Sequence, residues 1–96
     1  MRVIIRLSLD DDAGNQLRTK VHAALSRHGF RRTSSKTATY ESDAANEYIL
    51  ANAMTEVWPI FRDHLEEGSG RLDHFWMYVD QGAPHRFSFE NPPPMS

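Results

Sequence analysis

Three consecutive acids, Asp10, Asp11 and Asp12, follow directly on the alternating run Val3-Ile4-Ile5-Arg6-Leu7-Ser8-Leu9. A carboxylate at the end of a central strand is held by the strand while the next loop leaves it open to ligand. Carboxylate oxygens suit Mg²⁺ or Mn²⁺, ions that keep several waters and take one or two carboxylates together with substrate phosphate. Asp10 is therefore the candidate catalytic and metal-binding residue. Ser8 and Arg6 precede it on the same strand face and can contact a phosphate. Ser8 has no evident activating base, so it is a hydrogen-bond donor to phosphate rather than a nucleophile. The competing reading is that the acids cap the next helix and oppose its dipole.

His74 shares a strand face with Trp76 and Tyr78, where it is either a general acid or base or an ordinary hydrogen-bonded interface histidine. Across all five histidines, His22, His28, His64, His74 and His85, neither HExxH nor HxH spacing occurs, which argues against zinc. Arg31 and Arg32 can hold RNA backbone through planar guanidinium donors. Neighbours in a strand point to opposite faces, so at most one of them meets a given ligand. Trp58, Phe61, Trp76, Tyr78 and Phe87 either stack bases or fill core and interface. There is no P-loop, dinucleotide fingerprint or zinc-finger spacing.

The elements that must position these groups follow from periodicity. Val3, Ile5, Leu7 and Leu9 form the greasy face of a first strand, opposite Ile4, Arg6, Ser8 and Asp10. Leu17, Val21, Ala24, Leu25 and His28 make one stripe of a helix over residues 13–28, which Gly29 ends. Residues 30–41 read as a hairpin or one bent strand, turning at Ser34-Ser35-Lys36. Ser42 or Asp43 can cap a second helix over 44–57, which Pro59 stops and a short helix over 59–65 follows. The last strong strand spans 72–79, with Phe75, Met77 and Val79 alternating against His74, Trp76 and Tyr78. Arg86-Phe87-Ser88-Phe89 can form a small edge strand, and 91–96 is a proline-rich tail. The order predicts an α+β, ferredoxin-like β-α-β-β-α-β domain over 1–90 with a short extra C-terminal strand. Helices cover one face of such a sheet, so the Trp76 and Tyr78 face calls for a second subunit.

Ninety-six residues suffice for one modest core. The absence of cysteine excludes disulfides and thiol chemistry. No apolar run of membrane-spanning length or signal-peptide pattern is present, which reads as cytoplasmic with no membrane partner. The net charge of −2 argues against a nucleic-acid coat protein, but it hides a division. Residues 1–40 hold eight Lys/Arg against three acids, and residues 41–96 hold three against ten. The first half can present a basic face to phosphate, or the charges can be a solvated helix surface.

His28-Gly29-Phe30-Arg31-Arg32-Thr33, the Tyr40 strand, Ala51-Asn52-Ala53-Met54, and Trp58-Pro59-Ile60-Phe61 before the last strong strand, together with the length, resemble the virulence-associated protein D family. More distantly they resemble the small CRISPR-associated nuclease and adaptation protein of the same fold. The resemblance covers about residues 1–80. It implies a ferredoxin-like homodimer whose C-terminal strand can exchange between subunits. It also implies endoribonuclease activity, in some members as a toxin, and with that an antitoxin protein as partner. The family aspartate near the end of the first strand carries over to Asp10. Counted from the N-terminus it falls nearer Leu7, so this strand is longer or shifted, and Ser34 and Ser35 replace the family's Gln and Ser.

Two functions follow. One is a homodimeric endoribonuclease in which Asp10 of each subunit binds Mg²⁺ or Mn²⁺ or orients the attacking group, Ser8 and Arg6 contact the scissile phosphate, and Arg31 or Arg32 holds RNA. The other is a catalytically silent dimer of the same fold that binds nucleic acid or a partner in a defence or toxin-antitoxin system. A purely structural dimer is a third class.

Overall fold

The computed structural model describes residues 1–34, 38–43 and 45–80. The elements are β1 (Arg2–Asp10), a 3-10 turn (Ala13–Asn15), α1 (Gln16–Arg27), β2 (Arg31–Arg32), β3 (Ala38–Ser42), α2 (Glu47–Glu67) and β4 (Arg71–Asp80). The strands form one antiparallel sheet in the order β2-β3-β1-β4. That α+β order, with each helix joining strands that are not neighbours, is compatible with a ferredoxin-like arrangement. The short strand expected at 86–89 and the tail at 91–96 lie outside the described residues.

Alternation in β1 decides the layering. Val3, Ile5 and Leu7 are buried in one cluster with Leu17, Val21, Ala24 and Leu25 of α1, Tyr40 of β3, and Ala53, Val57 and Phe61 of α2. Each large side chain in such a cluster contributes roughly 1.5–3 kcal/mol by leaving water. The helices lie together on this face, joined by Glu56 of α2, whose carboxylate takes Arg27 of α1 and, at 2.8 Å, His28 just beyond it. The other face carries Ile4, Arg6, Ser8 and Asp10 of β1, flanked by Thr39 and Glu41 of β3 and by His74, Trp76 and Tyr78 of β4.

The first helix begins later than its stripe suggests. Asp11, Gly14 and Asn15 all adopt left-handed backbone, with φ of 54°, 69° and 58°, so regular α-helix starts only at Gln16. Asp12 closes that end: its two carboxylate oxygens accept the Leu17 and Arg18 N–H groups at 2.8 and 3.0 Å. At the other end Gly29, at φ 84°, turns the chain while the Phe30 N–H reaches the Leu25 carbonyl at 3.0 Å. Of the two forms expected next, β2 and β3 pair antiparallel; the turn expected at Ser34-Ser35-Lys36 falls largely on residues 35–37, which lie outside the described residues.

The second helix departs from expectation at both ends. Ser42 is drawn into β3 opposite Val3, and Asp43 faces Arg31 and Arg2, so neither caps it. Asn46 does, accepting the Ile49 N–H at 2.9 Å. Nor does Pro59 end it: α2 is continuous to Glu67. Proline costs the helix one N–H bond, but the buried stripe of Ala53, Val57, Phe61 and His64 runs straight across it. The Trp58 ring packs tilted against Phe61 and Phe75 at centroid distances of 5.6 and 4.9 Å, tying the turn beside the proline to β4. No helix among the described residues is long and apolar enough to cross a membrane.

Candidate functional site

The central strand β1 sets Arg6 opposite Trp76 and Ser8 opposite His74 on the open face. The Arg6 guanidinium lies 5.3 Å from the Trp76 ring centroid, and Trp76 stacks on Tyr78 at 6.2 Å with the planes 8° apart. Trp76 and Tyr78 are 47% and 44% exposed, so a cation and two rings share one exposed patch.

Among the described residues the β3 to β1 pairing reaches Ala38, opposite Leu7, a step short of Asp10 at the end of β1. Beside that step opens a cavity of about 380 Å³. Among the described residues Leu7, Leu9 and Ala38 line it with apolar surface, and Arg6, Ser8, Arg18, His74 and Trp76 bring the chemistry. That volume falls within the range of small-ligand sites. Arg18 reaches it from α1, where the Asp12 cap fixes its backbone.

At the same level the β1 to β4 register slips. Ser8 pairs with His74 but Leu9 with Leu72, leaving Asp73 as the extra residue of a bulge. The Ser8 hydroxyl donates to Asp73 Oδ2 at 3.0 Å.

The candidates named from sequence are thus divided. Arg6 and Ser8 share the cavity, although the proton of Ser8 is given to Asp73 rather than left for phosphate. Asp10 stands exposed at the end of β1, opposite Arg71, and does not line the cavity. Asp11 is 3.7 Å from the Arg71 guanidinium, and Asp12 spends both oxygens on backbone amides. The three acids therefore do not converge as a cation-binding set, and among the described residues no group of three or more His, Cys, Asp or Glu does. Asp12, with both oxygens on backbone amides, is thereby withdrawn from holding Mg²⁺ or Mn²⁺.

Arg31 and Arg32 separate as strand neighbours must. Arg31 sits opposite Glu41 and approaches Asp43 at 3.4 Å. Arg32 sits opposite Tyr40 and donates to the Ser34 carbonyl at 2.9 Å. Burial pushes the Tyr40 hydroxyl above its ordinary pKa, while the positive charges of Arg32 and Arg18 pull the other way. The Tyr40 hydroxyl also meets His22 Nδ1 at 3.2 Å.

Sequence reasoning missed Arg18 and Asp73. Arg18 lies off the apolar stripe of α1 and reads as plain solvated surface, its one signal being its place in the basic half of the chain. Asp73 joins Ser8 only through the bulge, which has no glycine to announce it. In comparisons with known proteins, no family model matches this chain and no curated protein shows significant similarity to it.

Proposed function

We propose that this chain is an RNA-binding protein acting as a homodimeric endoribonuclease, with RNA entering at the cavity beside the end of β1. The observation that carries the reading is the meeting of Arg6, Arg18 and His74 with the Trp76 ring around one cavity. Guanidinium groups bind phosphate and an exposed ring stacks on a base, and single-stranded RNA offers both at each nucleotide. A second copy laid against the Ile4 and Tyr78 end of the open face would cover its apolar part and leave the two cavities on a common cleft.

The position of Asp10 outside the cavity favours a second reading, a dimeric adaptor of the same fold that binds nucleic acid, or a protein partner such as an antitoxin, without cutting. Purified protein incubated with structured and single-stranded RNA, with and without Mg²⁺ or Mn²⁺ and beside Asp10→Asn, separates the two. Equal cleavage by wild type and variant removes Asp10 from the mechanism, and binding without cleavage supports the adaptor. Absence of any salt-dependent RNA binding overturns the RNA reading altogether.

A further inference from the structure

We propose that the cavity cleaves RNA by internal transesterification with His74 as the proton-transfer group and with no divalent cation required. The inference rests on the RNA reading above and deepens it.

His74 is exposed, lines the cavity, and sits directly across from Ser8 in the β1 to β4 pairing. Cross-strand partners on one face have Cβ atoms roughly 5 Å apart, so the imidazole and the Ser8 hydroxyl share one short stretch of wall. The bulge directs this arrangement. Bulges commonly re-aim a side chain beside an active site, and this one is pinned by the 3.0 Å bond from Ser8 to Asp73. With its proton committed there, Ser8 is a positioning residue that holds the bulged segment carrying His74. Arg6 and Arg18 supply positive charge to the same cavity from two different elements, and the Trp76 ring, with Arg6 at 5.3 Å, offers a surface on which one base can stack.

These groups suffice for one reaction of RNA. With a base on Trp76 and the adjacent phosphate between the arginines, the ribose 2′-hydroxyl is the nearest nucleophile. Its oxygen attacks phosphorus, its proton passes to the unprotonated ring nitrogen of His74, and the bond from phosphorus to the 5′-oxygen breaks. The leaving 5′-oxygen takes a proton from water, and the hydroxide so formed recovers the proton from the imidazolium. The products are a 2′,3′-cyclic phosphate and a 5′-hydroxyl. Imidazole is the side chain suited to this two-way traffic near neutral pH, and the arginines offset the charge that develops on phosphorus oxygens.

The test uses the full chain and end-labelled single-stranded RNA in excess chelator. Wild type and Asp10→Asn should cut it to cyclic-phosphate and 5′-hydroxyl ends, and RNA with 2′-deoxy substitutions should resist. His74→Ala, at an exposed position, should still bind RNA in a salt-dependent way and cut at least roughly 100-fold more slowly. Full activity in His74→Ala, or cleavage that needs Mg²⁺ and gives 5′-phosphate ends, overturns the inference and leaves the RNA reading intact. Binding with no cleavage under any condition also overturns it and leaves the adaptor. Loss of RNA binding by the wild type would sink both.

Discussion

The two faces of one sheet differ in what they are built to do. On β1, Ile5 is fully buried beneath the helices, whereas its neighbour Arg6 is exposed over the Trp76 ring. At the next pair Leu7 is buried and Ser8 half-buried, and both border the cavity. Alternation by two thus sends stability to one side of a strand and chemistry to the other, and a substitution of one residue should be felt on one side only. The helix-covered face owes its stability to close packing. Among the described residues nothing covers the rings of the open face, so its groups can change with little cost to the fold.

The largest effect should come from the covered face. Ile5→Ala is expected to lower unfolding free energy by about 2–5 kcal/mol, while Arg6→Ala next to it should stay within about 0.5 kcal/mol, both read from denaturant midpoints. Comparable losses would show that the faces are not separable. Asp12→Ala crosses the comparison, because Asp12 caps the helix that carries both core residues and Arg18. Loss of its two backbone bonds should cost about 1–2 kcal/mol and also weaken RNA binding, a pairing that Ile5→Ala at permissive temperature should not show.

A smaller effect concerns the edge where the faces meet. Tyr40 is 1% exposed, and burial raises its pKa above the ordinary 10.0 despite Arg32 and Arg18. The unfolded chain therefore loses this proton before the folded protein does. The associated stability is fully present below pH 10 and falls as pH rises through the elevated folded-state value. Tyr40→Phe should lose about 1 kcal/mol at neutral pH with the His22 contact, and then decline less steeply than wild type above pH 10. A parallel decline would place the alkaline sensitivity elsewhere.

Periodicity made the covered face legible. The stripe Leu17, Val21, Ala24 and Leu25 is buried as the spacing requires, and the faces of β1 fall where alternation puts them. Pro59 misled because a local rule was outweighed by packing on both sides of it. Asn46 was overlooked because Ser42 and Asp43 carry equally good capping groups, and β3 pairing claimed the first of them. The open face was only half legible. Arg6 and Ser8 follow from the alternation of β1, but Arg18 depends on how a helix crosses the sheet and Asp73 on a register slip, neither of which has a sequence period. The run of acids admits a metal ligand at Asp10 or a helix cap, and at Asp12 the geometry shows the cap.

The central claim, that the cavity end of the open face binds RNA phosphate, is tested most directly by a salt titration of single-stranded RNA affinity for wild type, Arg6→Ala, Arg18→Ala and the double variant. The account predicts weaker binding in each and a plot of log affinity against log salt that flattens by about 0.7 for each arginine removed. A double variant with the affinity and slope of wild type would contradict it.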